Sequence, residues 1–163
     1  MRLLFVCTGN ICRSPTAEGV MRDLLQAAGL EREVEVDSAG VTGWHVGEPP
    51  SRPAVAVAGA RGCDLSGLAA REVVAEDFER FDRIFAMDRN HHRRLLALCP
   101  KGRADRLRLF RGASAGQGES LDVADPYGLT RADYEACFDT IERGCRAILE
   151  ELKAELAGKH LET

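Results

Sequence analysis

Cys7 and Arg13 are separated by five residues in RLLFVCTGNICRSPT, residues 2–16, behind an apolar run and ahead of Ser14-Pro15. A thiol at the end of a buried strand and an arginine where the chain turns into a helix are the makings of a phosphoryl-transfer site. Gly9 lets the segment between them curl. Successive N–H groups from Thr8, Gly9, Asn10, Ile11 and Cys12 then point at one dianionic phosphate, with a helix N-terminus behind it. In that ring Cys7 is a candidate nucleophile rather than an inert buried thiol, its thiolate favoured by the N–H groups and by Arg13, which reads as a bidentate clamp on phosphoryl oxygens rather than a surface ion pair. Ser14 suits two compatible tasks. One is helix N-cap with Pro15 as the first helical position; the other is hydroxyl donor to the sulfur, which would help it leave a phosphocysteine. Asn10 tolerates a left-handed backbone and so holds the shape of the loop.

The spacing alone carries little. Six cysteines and 19 arginines in 163 residues give about 0.7 chance matches to Cys-x5-Arg, and a second copy runs from Cys137 to Arg143. It lies in YEACFDTIERGCRAILEEL, where Tyr134, Phe138, Ile141, Cys145, Ile148 and Leu152 recur at alternating spacings of four and three. That is an amphipathic helix facing a core. Six residues of helix rise about 9 Å and leave the two side chains about 120° apart, so this pair is structural. The Cys7 copy differs by its context of strand, glycine and helix start.

The elements that must position Cys7 can be read in outline. Strand signals fall at 2–6, 33–38, 82–87 and 106–110. Helix signals fall at 14–28, about 52–61, about 88–98 and 130–157, the last ending at Gly158, with a shorter piece, VVAEDFERF, before the third strand. This alternation predicts βαβ units, a parallel sheet and right-handed crossovers. Ligands of such sheets bind at the carboxyl ends of the strands, where Cys7 falls. Loops 39–50 and 111–128 should border the same crevice. They carry Trp44, read as a wall of the crevice rather than core, and Tyr127. They also carry the candidate proton donors Glu119, Asp122 and Asp125. Pro126 withholds an N–H from Asp125, and a rigid, partly apolar turn beside Tyr127 would let that carboxyl donate and later accept a proton. On the residues alone, a solvated loop carboxylate is an equal reading. Asp88 reads either as support for the site or as a helix N-cap. His91 and His92, beside Arg93-Arg94, read as a solvated helix face. Cys12 is either a small apolar filler or a resolving thiol that forms a reversible disulfide with Cys7.

At 163 residues and net charge −4, the chain fits one domain over residues 1–163 and gives no reason to expect nucleic acid or an anionic membrane as partner. No stretch has the length of a spanning helix and no signal-peptide pattern opens the chain, so the expected place is the cytoplasm, with the cysteines as free thiols. Cys63, Cys99, Cys137 and Cys145 lack zinc spacing; no metal or other cofactor is expected.

VCTGNICRSPTAE, DSAG followed by TGWHVGEPP, GCDLSG, FAMDRN and ADPYG occur in this order over about residues 2 to 150. Together they resemble the low-molecular-weight protein tyrosine phosphatase family. The resemblance implies a flavodoxin-like three-layer αβα fold with a four-stranded parallel sheet of order 2-1-3-4. It also implies a two-step mechanism without metal. The Cys7 thiolate attacks phosphorus in line while Arg13 and the loop amides stabilise the equatorial oxygens. Asp125 protonates the leaving phenolate, then activates water to hydrolyse the phosphocysteine. By the same resemblance Asn10 and Ser38 join a network that holds the loop, and Trp44 and Tyr127 wall a deep cleft for a phenyl ring. The implied partners are a phosphotyrosine-containing protein or a small aryl phosphate, with phosphate and oxyanion inhibitors in the loop.

Two positions depart from the family pattern. Gly128 follows Tyr127 where many members have a second aromatic, and Leu68 stands where many have His. Protein-arginine phosphatases of the same superfamily have Thr at the position of Ile11; a β-branched apolar residue there suits a flat phenyl ester better than a phosphoguanidinium. Thioredoxin-coupled arsenate reductases resemble the same scaffold, but Cys63 and Cys99 do not form the close downstream pair their relay needs.

Overall fold

A computed structural model describes residues 1–161. Strands β1 (Arg2–Cys7), β2 (Glu35–Gly40), β3 (Arg83–Ala86) and β4 (Leu107–Leu109) form one parallel sheet in the order β2-β1-β3-β4. The helices are α1 (Arg13–Ala27), α2 (Arg52–Ala60), α3 (Asp77–Arg80), α4 (Arg89–Leu98) and α5 (Arg131–Leu161). The α/β class and the strand order are those expected.

β1 occupies the middle of the sheet because it can be buried on both faces. Leu3, Phe5 and Cys7 point into the larger core with residues of α1, α2 and α5, whereas Leu4 and Val6 point into a second core with Phe78 and Leu95. An uninterrupted apolar run is what a central parallel strand requires. On α5 the predicted row Tyr134, Phe138, Ile141, Cys145, Ile148 and Leu152 is buried throughout. Among the described residues no helix is long and apolar enough to cross a membrane.

Two predicted helix ends are corrected. α5 does not stop at Gly158 but continues to Leu161. Gly158 lacks the positive φ of a helix-ending glycine, and Lys159 pairs back to Glu155 at 3.2 Å across it. α1 begins at Arg13, not Ser14, so Pro15 is its third residue, where an N–H would still have had no helical partner.

α5 approaches the sheet closely at Gly144, where a Cβ would run into the ring of Phe110. That ring is fully buried and packs edge-on against Phe5 with centroids 5.7 Å apart, so it has nowhere to go. Gly144→Ala should therefore destabilise the fold by about 1–3 kcal/mol through overpacking, despite the better helix propensity of alanine. Urea unfolding should show a lower midpoint at unchanged slope.

Candidate active site

Five residues link the end of β1 to the start of α1, and they wrap over the helix N-terminus. Carbonyls at both ends of this loop are tied by hydrogen bonds to neighbouring segments. Those of Cys7 and Thr8 accept from Val41 and Thr42, that of Ile11 from Ser51, and that of Cys12 from Thr16. Among the described residues no hydrogen bond is donated by the N–H groups of Thr8 to Cys12. The loop thus presents a row of donors, the arrangement that binds an anion.

Asn10 holds that shape. Its φ of 59° is the one positive value outside glycine among the described residues, and its side chain is fully used. Nδ2 donates to Ser14 Oγ at 2.7 Å and to Ser38 Oγ at 2.9 Å, while Oδ1 accepts from the Arg71 N–H at 3.1 Å. Three bonds, two of them buried, at about 1 kcal/mol each offset the cost of about 1–2 kcal/mol for a left-handed residue. The expected network of Asn10 and Ser38 is therefore present. Ser14 is not an N-cap; Cys12 takes that position with no side-chain cap. The Ser14 hydroxyl accepts from Asn10 and lies 2.9 Å from Cys7 Sγ. Since the amide can only donate, the serine proton is left for the sulfur or for the Ala39 carbonyl at 3.4 Å.

Arg13 is buried and held in place. Nη1 donates to Asp88 Oδ2 and to the Val123 carbonyl, both at 2.9 Å, and Nη2 lies 3.4 Å from both Thr8 Oγ1 and Asp125 Oδ2. Asp88 bonds Arg13 through one oxygen and with the other caps α4, accepting from the His91 N–H at 2.8 Å.

The expectation for His91 is overturned. It is 1% exposed rather than solvated, and its Nε2 sits 2.7 Å from Thr8 Oγ1 and 3.5 Å from Arg13 Nη2. Burial and the neighbouring guanidinium push its pKa down to about 4. The neutral ring braces the loop. The signal was present in the sequence: His91 shares a helix face with Leu95 one turn on, and both are buried.

Cys7, Ile11, Cys12, Arg13, Trp44, His45, Asp125 and Tyr127 line one cleft of about 170 Å³. Trp44 and Tyr127 stand at its mouth, 75% and 59% exposed. Between them the His45 ring packs over the loop at Gly9, where a Cβ would come within 2.8 Å of it, and is steadied by Glu48 Oε2 at 2.7 Å. Of the three candidate acids only Asp125 enters this cleft. Glu119 is held by Arg111 and Arg143, and Asp122 by Arg89. The partly apolar enclosure expected for Asp125 is not found. Its side chain is 49% exposed, and although Pro126 withholds an N–H, that of Tyr127 donates to Oδ1 at 3.2 Å. Cys12 Sγ is bonded to Ser51 Oγ at 3.2 Å and Tyr134 Oη at 3.5 Å, and burial pushes its thiol pKa up.

The sequence profile of the low molecular weight phosphotyrosine protein phosphatases matches residues 2–158. The chain belongs to that family. It is accordingly a hydrolase, a cysteine-dependent protein tyrosine phosphatase. A low molecular weight protein-tyrosine-phosphatase of Streptomyces coelicolor is 41% identical over 97% of each chain, and the human low molecular weight phosphotyrosine protein phosphatase 34% identical over 91% of this chain and 93% of its own. The crystal structure of a protein tyrosine phosphatase from Entamoeba histolytica, with Hepes in its active site, superposes with a TM-score of 0.90 at 34% identity, covering 95% of this chain and 98% of that one. Vibrio vulnificus Wzb in complex with benzylphosphonate gives 0.78 at 27% identity over 92% and 97%.

The His91 environment has a pH consequence. Its folded pKa of about 4 lies below the unfolded value of about 6.5. The unfolded chain therefore binds a proton that the folded one excludes, and the stability present above pH 6.5 is lost as pH falls toward 4. Relative to His91→Gln, the wild type should lose up to about 3 kcal/mol over that range. Thermal melts of both proteins at stepped pH measure it.

Proposed function

We propose that Cys7, Arg13 and Asp125 carry out hydrolysis of aryl phosphate monoesters, phosphotyrosine in proteins above all. The observation that carries this reading is the placement of the Cys7 sulfur, 2.9 Å from Ser14 Oγ in a cleft that Arg13 and Asp125 also line. The phosphate sits in the row of N–H donors with its oxygens on the Arg13 guanidinium. The Cys7 thiolate attacks phosphorus, a P–S bond forms as the P–O bond breaks, and Asp125 gives its proton to the departing phenolate. Asp125 then takes a proton from water as that water attacks phosphorus. The sulfur leaves as thiolate, assisted by the Ser14 hydroxyl, and inorganic phosphate is released.

Two cysteines line the cleft, and their environments separate them. Cys12 is held toward the thiol by burial and is turned to Ser51 and Tyr134. Cys7 lies at the end of β1, ahead of the loop donors. Trp44 and Tyr127 would flank a phenyl ring, and Ile11 gives the cleft an apolar lining suited to it. The benzylphosphonate bound by the Vibrio relative has the same combination of phenyl ring and phosphoryl group. The six cysteines are unpaired, which suits a reducing cytoplasm.

Turnover of an aryl phosphate should vanish in Cys7→Ser. In Asp125→Ala it should fall about 10²–10⁴-fold for phenyl phosphate and much less for a nitrophenyl ester, whose phenolate leaves without a proton. Equal losses for both esters would remove Asp125 as the acid. Faster turnover of phosphoarginine than of either would move the substrate assignment to the guanidinium class.

Cys12 would also serve as the resolving thiol: with hydrogen peroxide as oxidant, Cys7 becomes a sulfenic acid, and Cys12 displaces water from it to form the disulfide. Peroxide inactivation should then be reversed by dithiothreitol in the wild type and be largely irreversible in Cys12→Ser. Irreversible loss in both proteins would rule the role out.

A further inference from the structure

Glu18 lies on α1 one turn beyond the phosphate loop, and it is 2% exposed. One carboxyl oxygen reaches Arg22 Nη2 at 3.4 Å; the other is buried with no donor. The charged groups that face it are Arg22 from its own helix, Asp37 from β2, and Arg71 from the segment between α2 and α3. None of these cations belongs to Glu18 alone. The Arg22 side chain is half exposed and also donates to the Val36 carbonyl. The Arg71 guanidinium is committed to Asp37 Oδ2 at 3.1 Å and, as a fork, to Asp77 at 3.0 and 3.1 Å. Asp37 accepts from Arg71 in that pair and in addition from the Ser38 N–H at 2.8 Å. A second carboxyl beside it, shut away from water, costs least when it keeps its proton and shares it.

We propose that Glu18 is a positioning residue, a neutral carboxylic acid donating its proton to Asp37, and that loss of this proton loosens the phosphate loop. The connection runs through bonds already described. Asp37 steadies Arg71 and Ser38; the Arg71 N–H and the Ser38 hydroxyl hold Asn10; Asn10 holds Ser14 against Cys7. Once Glu18 ionises, two carboxylates compete for one guanidinium, and the segment on which Asn10 hangs is drawn out of register. Burial, above all, raises the Glu18 pKa to about 7, with Asp37 adding to the rise and Arg22 and Arg71 opposing it. The switch therefore falls near neutral pH.

The sign follows from that shift. The unfolded carboxyl titrates at about 4.3, so between that pH and about 7 the folded state holds a proton that the unfolded state releases, and stability declines as pH rises through the interval. Glu18→Gln keeps the shape and an N–H donor toward Asp37 but cannot ionise. Thermal melts from pH 5 to 8 should show the wild type falling relative to Glu18→Gln, with the variant melting higher at pH 8. Arg22→Ala, which removes an opposing cation at an exposed position, should move the wild-type transition to higher pH. An infrared carbonyl band of a protonated carboxylic acid at pH 6 should be present in the wild type and missing from Glu18→Gln.

Parallel melting curves, or an unmoved transition in Arg22→Ala, would overturn the proposal and make Glu18 an ordinary ion pair of Arg22. For the link to the loop, the ratio of kcat at pH 8 to kcat at pH 6 should be several-fold higher in Glu18→Gln than in the wild type. An equal ratio would overturn that link. The activity readout rests on the proposed phosphatase chemistry, whereas the melts and the infrared band do not. A protein inactive at every pH would therefore count against the phosphatase reading and leave the carboxyl pair to be judged by itself.

Discussion

One left-handed residue governs this site. A chain leaving a parallel strand and entering a helix in five residues must reverse its curvature, and Asn10 makes that reversal at φ 59°. Glycine could adopt the same angle but has no side chain with which to hold it. The asparagine amide bonds to the helix start, to β2 and to the backbone of Arg71, so that one strained residue fastens three separate segments to the loop. Carbonyls at both ends of the loop are taken up by neighbouring segments, while its N–H groups donate to none of the described residues. Replacing water by such fixed dipoles is what lets a protein stabilise a dianion without reorganising at the moment of reaction.

The same economy governs the charges. Arg13 is buried, and a buried guanidinium without a partner would be costly. Asp88 supplies that partner and simultaneously caps α4, which in turn carries His91 against Thr8. The clamp is thus built from the C-terminal ends of β1 and β3, neighbours in the sheet, and a parallel sheet is the reason those ends lie side by side. Asp125 arrives from the loop that follows β4 and remains half exposed. Arg13 and Asp125 meet in the cleft, with Nη2 3.4 Å from Oδ2.

Much of this was legible in the residues, and the exceptions share a cause. β1, the α5 row and the loop could be read because each is specified by its own segment: an apolar run, a helical period, and a glycine with an asparagine between strand and helix. What escaped depends on contacts that residue type does not reveal, some made within a few residues and some between segments distant in sequence. Ser14 has the composition of an N-cap, yet its hydroxyl is claimed by Asn10 and Cys7 because the loop folds back over the helix start. His91 looks solvated beside two arginines, yet the face it shares with Leu95 is the one that meets the sheet. Asp125-Pro126 suggests enclosure, but only the path of the loop decides exposure. Gly158 suggests a helix end, and the pairing of Lys159 with Glu155 carries the helix past it. Glu18 gave no local signal at all; its significance arises only when α1 packs over β2.

The proposed chemistry puts phosphorus on the sulfur of Cys7 and not on that of Cys12. Rapid acid quench of the Asp125→Asn protein with an activated aryl phosphate, followed by peptide mass spectrometry, tests it most directly. A phosphate mass is expected on the peptide containing both cysteines, with fragmentation placing it on Cys7 and with the same adduct formed in Cys12→Ser. A phosphate on Cys12, or turnover of the ester with no adduct on either sulfur, would contradict it.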